Sequence, residues 1–226
     1  MNSSHDAMVT HNMRRGMLRL MLSSTLTLSM LTRSEPIDFL FAVLSSSLNV
    51  SPLALFMVFD MLLIAAGYWL ASALNAFLTA GALLSNSLAR LYSGFGRVNR
   101  SINKKGLVSL SAALLMIVLW YVPQILDAVL LQYTLHRLMY LSMLFAGVLI
   151  FVGFRRLSSN MRHLSYLLGC KIMVIFGAYL LVSPVAIYNY FPYYEQAEAG
   201  AAMVAMCIAS DATILPLWLR RYFSGK

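Results

Sequence analysis

The stretch PLALFMVFDMLLIAAGYWLASALN, residues 52–75, carries a single charge, Asp60. A hydrocarbon core of about 30 Å is crossed by roughly 20 predominantly apolar residues in helical form. The segment therefore reads as a membrane helix. Five further apolar stretches lie around it, at about 16–33, 106–122, 134–154, 165–188 and 198–219. The composition agrees, because 60% of the 226 residues are hydrophobic and 11% charged, far from soluble averages.

Charge placement orders these segments. Arg14, Arg15 and Arg19 precede the first, and Arg90, Arg97, Arg100, Lys104 and Lys105 lie between the second and third. Arg155, Arg156 and Arg162 separate the fourth from the fifth, and Arg220, Arg221 and Lys226 follow the sixth. The intervening loops hold Glu35, Asp38, Asp127, Glu195 and Glu198, with Arg33 the main basic exception. Basic loops mark the cytoplasmic side of a membrane protein. The pattern predicts an all-α, polytopic transmembrane bundle of six helices with both termini cytoplasmic, multi-pass in the plasma membrane. Residues 1–15 and 221–226 are its tails, and 16–220 form one bundle.

Two segments fit this scheme differently. Residues 76–95 continue the second helix without proline but are more polar, and they read as an interfacial amphipathic helix. If they cross instead, the helices number seven. Residues 37–48 lie along the outer surface or dip partway in. The run Leu20 to Leu31 follows three arginines but lacks an A-x-A-like cleavage site, so it reads as an uncleaved first helix.

The net charge of +9 sits at the ends of apolar segments. The partner it implies is the lipid bilayer, not nucleic acid. Cys170 and Cys207 both lie inside apolar stretches and read as packing residues. Ala201, Ala205 and Ala209, and the cluster Ala65, Ala66, Gly67 and Ala71, read as helix-packing faces.

Ionisable groups within membrane spans cost free energy, so each is a candidate site. Lys171 and Asp211 fall at comparable depths in the inner half and are expected to form an intramembrane ion pair. Asp60, Tyr121, His136 and Tyr140 are expected to share an outer polar pocket. A copper or zinc site there needs three or four converging ligands, and His136 is the one membrane histidine available. His5, Met8, His11 and Met13 in the tail are soft donors suited to Cu(I). The chain contains no GxxxxGK[ST], HExxH or GxSxG, and Gly94-Phe95-Gly96 is not a dinucleotide loop. A soluble-type enzyme is not expected.

Trp120-Tyr121-Val122-Pro123, then Asp127-Ala128, then His136 resembles the CtaG family of multi-pass membrane proteins, whose pattern reads W-H-x-P, then D-A, then H-x-x-x-H. Glu35-Pro36-Ile37-Asp38 is similar to its S-P-L-D, and Met57 to Ile64 to its H-M-x-x-H-M-L-L. Tyr190-Phe191-Pro192-Tyr193 with Gln196, Gly200 and Met203 resembles its Y-P-x-Y followed by D-Q-x-x-G-G-x-x-M. The family is linked to copper-centre assembly of cytochrome oxidase. The resemblance implies an assembly or accessory factor for a membrane respiratory complex, with copper as the implied metal. Tyr121 and Tyr140 stand where the family has histidine, and Asp60 falls near another such position. Only His136 remains, so the resemblance implies copper handling that is reduced or lost. The alternatives are a non-catalytic structural subunit of a larger membrane complex and a small transporter using Asp60, His136, Lys171 and Asp211.

Overall fold

The computed structural model describes residues 50–84, 103 and 105–223. Among the described residues the regular structure is all helical, with no strand. Six helices follow in order: α1 Pro52–Leu84, α2 Leu107–Trp120, α3 Pro123–Leu131, α4 Tyr133–Phe154, α5 Ser159–Val182 and α6 Tyr193–Phe223. Three are long and apolar enough to cross a membrane: α1 over Pro52–Thr79, α4 and α5. The pair α2 and α3 makes a fourth if it is counted as one broken span. The expected first span at 16–33, the segment 37–48 and the tail 1–15 lie outside the described residues, as do residues 85–95 of the amphipathic stretch. Residues 76–84 continue α1 without a break. At 1.5 Å per residue this helix is roughly 50 Å long, well beyond the ~30 Å hydrocarbon core.

Local chemistry explains where helix ends depart from expectation. The fifth helix begins at Ser159, because the Ser158 hydroxyl caps it by accepting from the Met161 N–H at 3.4 Å. It stops at Val182, because Pro184 drives Ser183 into extended backbone, with φ −60° and ψ 130°. Asp127 was expected in a loop, but it lies on α3. That helix opens on Pro123, whose fixed φ and missing N–H suit a first helical position. It buries Leu126 and Val129 on one face.

The chain divides into two compact units. The described part of the first comprises α1 from Asp60 onward, α2 and α4. Gly67 of α1 lies directly against the Leu144 carbonyl of α4, and Gly147 of α4 against the Ile64 carbonyl and the Tyr68 N–H of α1. Only hydrogen at these positions lets the backbones approach so closely. Tyr68 then stacks edge-on against Phe151 and Phe154, with ring centroids at 5.3 and 6.5 Å. Arg155 at the end of α4 donates to the Asn75 side chain of α1. Helix α2 starts after Gly106, whose φ of 74° lies in the left-handed region and whose Cα abuts the Gly153 backbone of α4. Gly106→Ala combines a positive φ with a clash and should cost about 1–2 kcal/mol or more, read as a lowered thermal midpoint in detergent.

The described part of the second unit comprises the start of α1, α3, and an antiparallel hairpin of α5 and α6. The hairpin crosses at Gly177 and Gly200. A Cβ on Gly177 would come within 2.9 Å of the Gly200 carbonyl oxygen and of the Met203 Cβ. The buried face of α6 runs through Gln196, Ala199, Gly200, Met203 and Cys207. Ala201, Ala205 and Ala209, expected on the packing face, are exposed. Gly200 sets this rotation, because glycine admits a closer crossing than alanine does. On α1 the expected small-residue face is only partly sunk: Ala66 and Gly67 are buried, Ala65 and Ala71 half-buried.

Candidate functional site

Asp60 sits two turns into α1, whose first turn is capped by the Ser51 hydroxyl accepting from the Ala54 N–H at 3.1 Å. Its side chain is fully buried. Tyr121 is the residue at which α2 ends, since Pro123 disfavours helical backbone at Val122. From that position its hydroxyl donates to Asp60 Oδ2 at 2.9 Å. Asp60 Oδ1 and the neighbouring Trp120 Nε1 are both buried with no hydrogen-bond partner among the described residues.

His136 and Tyr140 form a second pair, one turn apart on α4, with ring centroids 4.5 Å apart and planes inclined by 59°. Tyr140 is buried and His136 half-buried. Beside them the Arg137 guanidinium lies 4.1 Å above the Tyr133 ring, which shields its charge. The four residues expected in one outer pocket are thus joined pairwise, Asp60 to Tyr121 and His136 to Tyr140.

This donor set does not suit Cu(I). It offers one imidazole, one carboxylate and two phenols, one of which already donates to the carboxylate, whereas Cu(I) selects thiolate, thioether and imidazole. Among the described residues no three His, Cys, Asp or Glu side chains converge as metal ligands. His5, Met8, His11 and Met13 lie outside the described residues.

The expected ion pair forms. Lys171 Nζ of α5 donates to Asp211 Oδ2 of α6 at 2.6 Å. The lysine side chain is 58% exposed and the aspartate 20%. Asp211 Oδ1 has no partner among the described residues.

A second polar centre was not foreseen as a site. Gln196, in the first turns of α6, is buried and makes four hydrogen bonds to the loop before it. Its Oε1 accepts from the Ile187 and Tyr188 N–H groups at 2.8 and 3.2 Å. Its Nε2 donates to the Tyr188 and Phe191 carbonyls at 2.8 and 2.6 Å. Asp127 of α3 holds the same loop, its Oδ2 accepting from the Asn189 side-chain amide at 2.8 Å and backbone N–H at 3.3 Å. The legible signal is an amide residue four positions after Pro192, within reach of a loop whose backbone lacks helical partners.

Tyr188 is fully buried in this loop. Burial, and secondarily the Asp127 carboxylate, hold its phenol well above the ordinary value of 10.0. Folding therefore keeps the proton that the unfolded chain releases, and stability falls as pH rises past that ordinary value. Above it the loss should approach about 1.4 kcal/mol per pH unit in an alkaline denaturation series. Tyr188→Phe should remove that component of the slope.

Over the described residues, the fold and site define an all-helical protein with several helices of membrane-spanning length and apolarity, carrying buried polar pairs. Comparison with family models, curated proteins and solved structures finds no match.

Proposed function

We propose that the chain is a multi-pass plasma-membrane protein acting as an assembly or accessory factor for a respiratory oxidase, non-catalytic and with copper handling reduced or lost. One observation carries this reading: among the described residues, four that match the CtaG pattern have structural work. Asp127 and Gln196 close the α5–α6 loop, Gly200 sits in the hairpin crossing and Met203 is buried beside it. A scaffold of this kind persists when copper-binding histidines are replaced by Tyr121 and Tyr140. The six-span topology with cytoplasmic termini belongs to the same proposal. It is supported by the hairpin, which carries Arg162 and Arg220 toward its open end and Glu195 and Glu198 at its loop.

The test is deletion of the protein in its native cell, followed by copper analysis and activity of the purified oxidase. An oxidase left short of subunits or copper, and restored by the wild-type chain but not by Asp60→Asn with His136→Ala, supports the reading. An oxidase assembled normally without the protein overturns it.

A structural subunit of a larger membrane complex is the second reading. Only 17% of the apolar window of α5 is buried within the chain, against 44% for α1, so α5 offers most of its surface to lipid or to other helices. Stoichiometric co-purification with a stable complex distinguishes it. A transporter would instead lose flux in Asp60→Asn or Asp211→Asn.

A further inference from the structure

The chain contains two cysteines, and the α5–α6 hairpin places them opposite one another. Cys170 lies seven residues before Gly177 and Cys207 seven residues after Gly200, so the two occupy the same register of the antiparallel crossing, two turns from its tightest point. Their contacts are reciprocal. Cys207 Sγ lies 3.5 Å from the Cys170 carbonyl oxygen, and Cys170 Sγ 4.0 Å from that of Cys207. Each sulfur thus sits over the other residue's backbone. Both are buried, at 8% and 4% exposure.

We propose that Cys170 and Cys207 form a reversible dithiol–disulfide couple that staples α5 to α6. Both S–H bonds break and one S–S bond forms. The two electrons and two protons pass to a quinone, which is reduced to the hydroquinone. A quinone fits because both thiols are buried between apolar helices, where an apolar oxidant partitions more readily than one dissolved in water. Closure needs a side-chain rotation on each residue that swings sulfur from the opposite carbonyl toward the opposite sulfur. The reciprocal sulfur–carbonyl contacts of 3.5 and 4.0 Å hold each side chain against the opposite backbone, as a disulfide requires with its Cα atoms within about 7 Å. With no third cysteine in the chain, the pairing has no internal competitor. The staple lies immediately beside Lys171 and four residues from Asp211, so oxidation fixes the helix register on which that ion pair depends.

The test uses the full chain in membranes, exposed to a short-chain tetrasubstituted benzoquinone, which has no free ring position for thiol addition. The sample is then opened in detergent with N-ethylmaleimide and weighed intact. The expected product is a monomer two hydrogens lighter that takes no maleimide, and reductant restores two maleimide sites. Cys170→Ser and Cys207→Ser should each leave one thiol that stays reduced. Two thiols still open to maleimide after quinone, an oxygenated sulfur or a covalent dimer would each overturn the proposal. Should the serine variants fail to fold, the wild-type rate decides: oxidation must be faster in membranes than after unfolding in SDS. Equal rates overturn it, because the fold then contributes nothing.

Discussion

Gln196→Leu should destabilise the protein by about 4 kcal/mol, the larger of the two strongest effects expected. The substitution leaves two N–H groups and two carbonyls of the 187–191 loop without their partner, and each unsatisfied buried group costs about 1–3 kcal/mol. Partial rehydration of the loop lowers the sum. The measurement is thermal or denaturant unfolding in detergent, with hydrogen exchange at the Ile187 and Tyr188 amides as local readout. Unchanged protection there would show that the amide is not what closes the loop. Gln196→Glu is a sharper probe. It keeps an acceptor for both N–H groups but turns an ionised oxygen toward the Tyr188 and Phe191 carbonyls. The folded protein then favours the protonated acid, so stability of this variant should fall as pH rises past about 4.3.

Gly147→Val should cost about 3 kcal/mol or more and sharply reduce the yield of folded protein. Any Cβ at this position meets the Ile64 carbonyl oxygen, with the Tyr68 N–H 2.8 Å away. Both are backbone atoms of α1 and cannot turn aside as a side chain would. Helices α1 and α4 must separate, which undoes the packing of Tyr68 on Phe151 and Phe154. Gly169→Ala is the internal control. A Cβ there meets nothing within 4 Å. Alanine also has the higher helix propensity, by about 1 kcal/mol, so this variant should be neutral or more stable. Equal losses for both substitutions would remove the crossing as the explanation.

The contrast between Gly147 and Gly169 marks how much was legible in the sequence. Long apolar runs are read from composition alone: residues 134–154 returned as a helix with almost those limits, and 52–75 as the first part of one that runs on to Leu84. The Lys171–Asp211 pair was legible for a similar reason, since two opposite charges at equal depth in apolar surroundings have few other partners. The rotation of each helix was not legible. In a chain that is apolar on every side, hydrophobic periodicity no longer distinguishes the packed face from the outer face. The choice between Ala201-Ala205-Ala209 and Gly200-Met203-Cys207 rested on one glycine. Helix α3 was missed because a nine-residue helix with an aspartate in it looks like a loop when spans are sought.

The site divides in the same way. Asp60 announced itself as an acid in an apolar run, and Tyr121 followed from its place at the outer end of an apolar stretch, but their bond depends on where Pro123 ends α2. Gln196 was visible only as a motif letter, because an amide near a helix start is unremarkable until the loop it closes is known. The Cys170–Cys207 juxtaposition needed the register of the hairpin, which no spacing rule supplies for residues on different helices.

The closure made by Gln196 also bears on how the α5–α6 pair enters a bilayer. A loop passing through hydrocarbon must strip water from every peptide group it carries, and each stripped group without a partner costs several kcal/mol. Four such groups in the 187–191 loop are already satisfied by one side chain. On the six-span topology proposed above, in which α5 and α6 both cross, the pair would carry these four groups through the bilayer already satisfied, at a lower desolvation cost than two helices joined by an open linker.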